Sequence, residues 1–428
     1  MAIERQPRGR QTIYFINGQL LGFVQHQTRR PPGRAVGGAL QHADPFAAGR
    51  TPEGCAAANF PSLSICARAS SPYRPMNRSR AMTSSSPVKK SKTSSEQSPN
   101  IEPDAFASVA AEELSLEQGI SERLQERLGW LHAKLRLGIE ADHEAQVFGQ
   151  GINYFHPENL TSSHFVIRTC LLLSGLYGRG RRNAAQVEIR RNRIKSARIP
   201  KAFDGYRILH LSDFHVEMSE DAILRSSKLL QEIDYDVCVL TGDYRAQAFG
   251  PFEAALRGMS QFCAKLKQPI YGVLGNHDTV RMLPGLERMG IRMLLNECET
   301  INRNDQCIYI AGIDDAHFYR ADNIEKAGSG IPSNAFSILL SHTPEIYQQA
   351  AHADFSLLLS GHTHGGQICL PGRIPITLDS VLPRYMGSGS WTYRDMNGYT
   401  SVGVGCSIVP ARFNCPPEIT LHFLQSIA

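Results

Sequence analysis

The chain has 428 residues, of which 42% are hydrophobic and 20% charged, so it can bury an apolar core and is not disordered throughout. Its formal net charge is +5, but residues 1–100 contain 14 Lys and Arg against 4 Asp and Glu. The rest of the chain is therefore acidic overall, which argues against a nucleic-acid partner for its folded part.

Residues 1–104 are predicted to form a disordered tail, because they are basic, rich in Ser, Gly and Pro, and show little hydrophobic periodicity. An apolar patch at 12–24 follows three arginines, but polar residues interrupt its centre, so we do not interpret it as a signal peptide. An alternative for this region is that translation starts at Met76 or Met82 and that residues 1–81 are a gene-start artefact.

The location of the protein is predicted from two features of its composition. No run of about 18 apolar residues is present, so we expect no transmembrane helix. The ten cysteines are scattered without a C-x-x-C pair, so a disulfide framework is not expected. We therefore predict a reducing, cytoplasmic location, with peripheral contact to the membrane as an open alternative.

Residues 105–186 are predicted to form a helical segment ahead of the main domain. Over 112–140, apolar residues recur every three or four positions, which predicts one helix with a single apolar stripe. The stripe consists of Leu116, Ile120, Leu124, Leu128, Leu131, Leu135 and Ile139. We expect this helix to pack on the main domain or on a partner.

The apolar run FVIRTCLLLSGLY (165–177) precedes a basic stretch, with nine basic residues against one Glu between Arg179 and Lys201. Thirteen residues are too few to span a bilayer. Because an apolar segment beside a basic cluster can bind an anionic membrane surface, 165–201 is a candidate for peripheral membrane contact. The favoured interpretation is a buried helix followed by a solvated basic linker.

From about residue 187, short apolar runs alternate with amphipathic stretches, which predicts strands joined by crossover helices in a layered α/β domain over 187–428. The predicted strands are RILHL, DVCVL, IYGVL, IYIAGI, FSILLS and FSLLLS, and two predicted helices cover 221–233 and 252–266. After residue 365, the Gly-rich segments ICLPG, YTSVGVG and EITLHFL are expected to form a second sheet that packs on the first.

Five loops, each after a predicted strand, contain oxygen or imidazole side chains. They are SDFH, TGDY, GNHD, SHTPE and SGHTHGG. Because ligands bind at the carboxyl ends of strands in open α/β sheets, we expect these loops to meet at one rim. The candidate metal ligands are Asp213, His215, Asp243, Asn276, His342, His362 and His364.

These seven side chains are too many for one tetrahedral site, and they suit two ions that share a carboxylate. Carboxylates and imidazoles without a thiolate favour Mn, Fe or Zn over Mg or Ca. We therefore expect two divalent transition-metal ions as cofactors, with Mn favoured. A neutral Asn ligand leaves an ion acidic enough to ionise a bridging water.

The order D-x-H, G-D, G-N-H-D, H and G-H-T-H resembles the calcineurin-like metallophosphoesterase superfamily. The extended G-H-T-H-G-G-Q and the C-terminal P-x-R-F-N-C-P-P-E-I are similar to its small bacterial phosphodiesterase branch (YkuE/YaeI-like). The resemblance covers roughly 190–428. It implies a four-layer α/β/β/α sandwich that hydrolyses phosphoric esters.

The family pattern implies that Asp243 bridges two ions. The first ion is bound by Asp213, His215, Asp243 and His364, and the second by Asp243, Asn276, His342 and His362. The pattern makes His277 a catalytic residue that meets the substrate phosphate and assists the leaving group. Many relatives carry another carboxylate shortly after the G-D, where this chain has Tyr244, Arg245 and Ala246, so the sequence identifies no partner that keeps His277 protonated.

Several other polar residues have two interpretations. Arg412 either contacts the substrate phosphate with its bidentate guanidinium or ties the C-terminal sheet. Asp314, Asp315 and His317 follow a predicted strand and are interpreted as turn caps, with a position near the rim as the alternative. His210, two residues before the SDFH loop, is expected to pack in the core.

The sequence therefore predicts a dinuclear metal-dependent phosphodiesterase that acts on a phosphodiester or pyrophosphate. A more specific alternative is a membrane-surface pyrophosphatase or phosphodiesterase acting on a lipid-linked nucleotide or a phospholipid. A catalytically inactive binding module on the same fold is a further alternative. Such modules typically lose ligands, whereas this chain retains all seven.

Overall fold

The structure is a computed structural model that describes residues 11–16, 19–25, 118–149 and 161–427. The chain divides into two compact units, Met1–Ile101 and Glu102–Ala428. In the first unit, strands β1 (Gln11–Ile16) and β2 (Gln19–Gln25) pair antiparallel. The rest of the predicted tail 1–104, including both candidate start methionines, lies outside the described residues.

One six-stranded sheet of the second unit has the order β3-β16-β4-β5-β6-β7. Its strands are β3 (Glu188–Ser196), β4 (Arg207–Leu211), β5 (Val237–Leu240), β6 (Ile270–Gly272), β7 (Ile291–Met293) and β16 (Glu418–Ser426). All neighbours are parallel except β16 and β4. Its outer face is covered by helices α5 (Glu220–Leu229), α6 (Glu253–Cys263) and α7 (Leu283–Arg288).

A second six-stranded sheet has the order β14-β15-β11-β10-β9-β8. Its strands are β8 (Glu297–Arg303), β9 (Gln306–Gly312), β10 (Ser337–Leu340), β11 (Leu357–Ser360), β14 (Gly389–Tyr393) and β15 (Met396–Thr400). Helices α8 (Ile324–Gly328) and α9 (Tyr347–His352) pack on its outer face. A separate short hairpin joins β12 (Cys369–Leu370) to β13 (Ile374–Pro375).

The two sheets pack face to face. Because successive side chains of a strand point to opposite faces, alternate residues of one strand belong to different cores. Ile208 and Val239 of the first sheet share a buried cluster with Ile338 and Leu340 of the second. Leu209, the next residue on β4, belongs instead to the core beneath the helices. Both faces of each sheet are thus buried, and the predicted four-layer α/β/β/α fold is confirmed.

The predicted strands from RILHL to FSLLLS are all present, but the expectation that EITLHFL belongs to the second sheet is wrong. This segment forms β16, which lies in the first sheet between β3 and β4. Most of its side chains are buried on both faces, as an interior strand requires. ICLPG is also outside the second sheet, because it enters the β12–β13 hairpin.

The predicted single helix over 112–140 is two helices in its described part. Residues 118–128 form α1, and α2 is Trp130–Gly149. Gly129 between them has a φ of +85°, a left-handed conformation that commonly ends a helix.

The predicted apolar stripe is correspondingly wrong after this break. Leu124 and Leu128 of α1 are buried, but Leu131 and Leu135 of α2 are 70% and 50% exposed. The change of helix direction at the glycine means that α2 buries a different face, which consists of Ala133, Arg136 and Glu140.

Helices α3 (Thr161–Leu173) and α4 (Tyr177–Ala184) precede β3. The favoured interpretation of 165–177 as a buried helix is wrong, because Phe165 is 71% and Leu173 85% exposed. None of the described helices is long and apolar enough to cross a membrane.

Candidate metal centre

The loops after β4, β5, β6, β10 and β11 meet at one rim of the two sheets, as predicted from their positions after parallel strands. The seven predicted ligands all lie there, and each of these residues is at most 6% exposed. Buried charges of this density require compensation by ions or by hydrogen bonds.

One group of side chains forms around the loop after β4. His215 Nε2 lies 3.1 Å from His364 Nε2, and His364 Nε2 lies 3.3 Å from Asp213 Oδ1. Ligand atoms of these three residues are all within 4.8 Å of one another, which is close enough for a single ion to bind them. The pairs Asp-x-His and His-x-His thus converge although about 150 residues separate them in sequence.

Asp243 stands at the centre of the site. Its Oδ2 is 3.2 Å from His342 Nε2, 3.6 Å from His215 Nε2 and 4.0 Å from His277 Nε2. Asp213, Asp243 and His342 form a second group whose ligand atoms lie within 4.8 Å of one another. Asp243 therefore belongs both to this group and to the group that it forms with His215 and His277.

The remaining two predicted ligands face each other across the same rim. His362 Nδ1 is 2.9 Å from Asn276 Oδ1. The backbone N–H of His362 donates to both carboxylate oxygens of Asp213, at 3.0 and 3.1 Å. The loops after β6, β11 and β4 are thereby linked to one another.

The pKa values of the buried carboxyl and imidazole groups at the rim indicate that the site favours a bound cation. Burial raises the pKa of Asp213 to about 6 and lowers the pKa values of His215 and His362 to about 3. Burial also opposes charge on His342, but the carboxylate of Asp243 prevails and raises the pKa of His342 to about 10. In the absence of a metal ion, His342 is therefore protonated, and this proton supplies positive charge beside the carboxylate of Asp243.

The ring nitrogens of the ligand histidines are oriented by backbone carbonyls. Nδ1 of His215 donates to the carbonyl of Arg245 at 2.9 Å, and Nδ1 of His342 donates to the carbonyl of Thr241 at 2.6 Å. Since a carbonyl only accepts, these bonds place the proton on Nδ1 and leave Nε2 to bind a metal. Nε2 of His362 is buried and makes no hydrogen bond, and Nε2 of His342 faces Asp243 Oδ2 at 3.2 Å. This donor set fits divalent transition-metal ions.

The backbone at the site is strained. Five of the seven predicted ligands have left-handed φ angles, namely Asp213, His215, Asp243, His362 and His364. Such φ angles are uncommon for residues other than glycine and cluster at functional sites. Glycine is required beside them, since a Cβ at Gly361 would overlap Asp213 and a Cβ at Gly275 would overlap Asp243.

Asp278 is a residue whose role the sequence did not reveal. Its carboxylate accepts from the backbone N–H groups of Asp243 and Gly275, both at 2.8 Å, and of Tyr244 at 2.9 Å. It therefore clamps the loop after β5 to the loop after β6 and does not point at the open rim. Its position directly after the GNH triplet was the only signal in the sequence.

His277 lies beside the ligands, with its Nδ1 2.9 Å from the carbonyl oxygen of Ala246. Because a carbonyl only accepts, Nδ1 donates to it. Arg245 fixes the same loop, because its guanidinium donates to the carbonyls of His277, Ala248 and Gly250. Ligand atoms of His277 also lie within 4.8 Å of those of His215 and Asp243.

Helix α2 contributes a buried charged cluster behind the loop that follows β6, and the sequence did not predict this cluster. Arg136 is fully buried and lies 3.2 Å from Asp314 Oδ1 and 2.9 Å from Glu140 Oε1. It also donates to the carbonyl of Asp278 at 3.2 Å, and Glu140 accepts from the backbone N–H of Val280 at 2.7 Å. Helix α2 is therefore bonded to the segment that carries Asn276 and His277.

Arg412 is fully buried, and its guanidinium donates to backbone carbonyls of Val402 (2.6 Å) and Cys415 (3.3 Å). It also contacts His364 Nδ1 at 3.2 Å. These are the contacts of a residue that ties the C-terminal segment and orients a ligand, and its contact with substrate stays a prediction.

The other ambiguous residues are now placed. Asp315 caps the turn after β9 by accepting from the backbone N–H groups of Phe318 and Tyr319, both at 2.7 Å. His317 lies at the rim, with its ring centre 4.3 Å from that of His362. His210 is fully buried and hydrogen-bonded to Thr241 at 2.9 Å, as expected for a packed histidine.

A cavity of about 320 Å³ opens over the site. Its polar wall includes Asp243, His277 and His362, and its apolar wall includes Ile167 of α3 and Leu378.

Comparisons with known proteins agree with this geometry. The family model described as calcineurin-like phosphoesterase matches residues 206–366. The chain is 32% identical to the uncharacterized metallophosphoesterase YkuE of Bacillus subtilis over 258 residues, 56% of this chain and 86% of that protein. It is 28% identical to phosphodiesterase YaeI of Escherichia coli over 233 residues, 50% of this chain and 81% of that protein.

A vertebrate relative differs in organisation. The transmembrane protein with metallophosphoesterase domain of Danio rerio is 30% identical over 246 residues, 53% of this chain but only 55% of that protein. The matches to YkuE and YaeI cover most of the length of those bacterial proteins, and the rim of this chain carries the Asp and His cluster. This chain therefore belongs to the calcineurin-like phosphoesterase family, in its YkuE/YaeI-like branch, and is a metal-dependent phosphoester hydrolase.

Proposed function

We propose that the chain is a dinuclear phosphodiesterase with its catalytic domain at 187–428. One ion would be held by Asp213, His215, Asp243 and His364, and the other by Asp243, Asn276, His342 and His362. The observation that carries the proposal is the position of Asp243 Oδ2, 3.6 Å from His215 Nε2 and 3.2 Å from His342 Nε2. A shared ligand has to stand between the two sets in this way. Mn is the favoured metal, with Fe and Zn as alternatives.

When bound, the ions would neutralise the phosphate oxygens and lower the pKa of a coordinated water. The chain itself must then orient the ester and relieve negative charge on the leaving oxygen. His277 is suited to the second task, because it lines the cavity and its Nδ1 is held by the carbonyl of Ala246. As an imidazolium it would donate its Nε2 proton to the leaving oxygen. Asp243 Oδ2 lies 4.0 Å from this nitrogen.

The proposal is tested by metal analysis of the purified full chain together with hydrolysis of an aryl phosphodiester. We expect two ions per active chain, loss of activity on chelation and its return with Mn. His342→Gln should lose one ion or both, since it removes a ligand that only the second ion has. His352→Gln is the matched control, because His352 is exposed at the end of α9 and should keep both ions. Full activity with one ion per chain would contradict the dinuclear site.

A further inference from the structure

Helix α3 exposes an apolar face. Phe165 and Val166 are 71% and 55% exposed, and Leu172 and Leu173 are 52% and 85% exposed. Positions seven residues apart lie on the same side of a helix, so the two pairs share one side of α3, about two turns apart. Exposed apolar patches of this kind mark interaction surfaces.

A second exposed apolar set lies in the segment that follows the GHTHGG loop. Leu370, Ile374 and Ile376 are 52%, 55% and 57% exposed, and Val381 and Tyr385 are 90% and 64% exposed. We call this set, together with the exposed side chains of α3, the rim face.

The rim face borders the entrance to the metal centre. Ile167, within the apolar stretch of α3, lines the cavity above the metal centre, and so do Ile368 and Leu378 from the segment of the second set. Both parts of the rim face are therefore neighbours in sequence of residues that line the cavity containing His277 and His362.

The charge around the rim face is positive. The stretch 161–184, which spans α3 and α4, contains Arg168, Arg179, Arg181 and Arg182 and no acidic residue. Helix α4 is bonded to the C-terminal segment, since Asn183 donates to the carbonyl of Arg412 at 3.0 Å. Arg181 lies 3.6 Å from Asp221, but both side chains are more than half exposed, so this pair is weak.

We propose that the rim face binds the surface of an anionic phospholipid bilayer and brings the metal centre to the headgroup layer. A bilayer offers hydrocarbon beneath a layer of negative phosphates, which complements an apolar stripe beside four arginines. Helix α3 has 13 residues and a length of about 20 Å, against about 30 Å for a bilayer core, so it lies on the surface and does not span it.

The position of the cavity assigns a substrate class, and this part of the inference rests on the proposed function. A phosphodiester carried by a membrane lipid reaches the cavity from the rim face, with its apolar part against Ile167 and Leu378. Hydrolysis adds one water. Its oxygen forms a bond to phosphorus, the bond from phosphorus to the leaving alcohol oxygen breaks, and that oxygen takes a proton.

Membrane binding is tested by sedimentation of the full chain with vesicles of phosphatidylcholine, alone or mixed with phosphatidylglycerol. We expect binding to the mixed vesicles at low salt and release as salt screens the arginines. Phe165→Ser with Leu173→Ser should abolish binding. Arg179→Ser with Arg182→Ser should weaken it by about five-fold per arginine removed.

Leu131→Ser is the matched control, because Leu131 is as exposed as Phe165 but lies on α2. Helix α2 bonds to the loops after β6 and β9, and none of its described residues lines the cavity beside the rim face. This variant should bind vesicles like the wild type. Failure of the wild type to bind mixed vesicles at low salt, or an equal loss in Leu131→Ser, would overturn the proposal.

The substrate class is tested by comparing two reactions of the same variants. Phe165→Ser with Leu173→Ser should keep hydrolysis of a soluble aryl phosphodiester and lose hydrolysis of phosphatidylglycerol in vesicles. If the wild type hydrolyses the soluble diester and binds vesicles but releases no headgroup, the lipid substrate is wrong and the phosphodiesterase stands. If it hydrolyses neither diester while still binding vesicles, the proposed function fails and the membrane surface stands.

Discussion

Replacement of Arg136 by Met should destabilise the protein strongly, although the residue lies outside the segment matched by the family model. Arg136 is fully buried between Asp314 and Glu140, and its guanidinium lies 3.4 Å from the ring centre of Tyr319. Methionine fills a similar volume, so the substitution removes the charge more than the packing. Glu140 would then remain buried without its cation, and Asp314 would keep only the imidazole of His132, 2.9 Å from its Oδ2.

The size of the effect follows from this uncompensated charge. Removing one partner of a buried ion pair typically costs about 3–5 kcal/mol, against less than about 1 kcal/mol for an exposed pair. For a domain of this size, such a loss lowers the melting temperature by roughly 10 °C. Lys134→Met on the same helix is the control, because Lys134 is exposed and should change the free energy of unfolding by less than about 0.5 kcal/mol.

The pH dependence separates lost charge from lost packing. Burial opposes ionisation of Asp314, but the charge of Arg136 overrides it and holds the pKa of Asp314 below its usual value. A lowered carboxyl pKa stabilises the fold above the unfolded-state pKa, and this contribution is lost as the pH falls through the folded-state pKa. The difference between wild type and Arg136→Met should therefore be large near neutral pH and shrink in acid. Urea unfolding at both pH values measures it, and a difference that is small at neutral pH, or independent of pH, would refute this reasoning.

Three further outcomes are expected. Asp243→Asn should reduce hydrolysis of an aryl phosphodiester more than Asp213→Asn, because in the proposed dinuclear site the carboxylate of Asp243 serves both ions; equal residual rates would contradict the bridge. His277→Ala should keep both ions yet lower turnover by roughly 10²–10⁴, most for poor leaving groups that need a proton, and loss of metal in this variant would instead make His277 a ligand. Deletion of residues 1–104 should leave melting temperature and hydrolysis unchanged, because this segment is poor in apolar residues; a clear drop in melting temperature would show that it packs.

The sequence predicted the strands and the rim because both depend on local features. RILHL and DVCVL are short apolar runs that become strands buried on both faces, and the polar residues directly after them lie at the carboxyl end of the sheet. Asp213 and Asp243 could thus be expected near each other without knowledge of the pairing order. The spacing within GHTHGG likewise predicted that His362 and His364 lie close to each other.

The parts that the sequence did not predict depend on long-range contacts. Arg136 and Glu140 have the spacing of an exposed ion pair on a helix, but the pair is buried, and the second carboxylate bound by Arg136, that of Asp314, is 178 residues away. The leucines of α2 suggested the wrong buried face, because one left-handed residue at Gly129 changed the direction of the helix. The place of β16 between β3 and β4 likewise depends on strands more than 200 residues earlier.

The strain at the rim and the bonds around it have one explanation. Left-handed backbone at residues other than glycine costs of the order of 1 kcal/mol or more each, and persists only where the surroundings impose it. Here they do so through the protein's own hydrogen bonds. Asp278 holds the backbone N–H of Asp243 and of Gly275, and carbonyl groups hold Nδ1 of His215 and of His342. Most of the ligand atoms are therefore oriented before any ion binds, so ion affinity is not spent on ordering loops, and the free energy of folding carries the cost of the strained site instead.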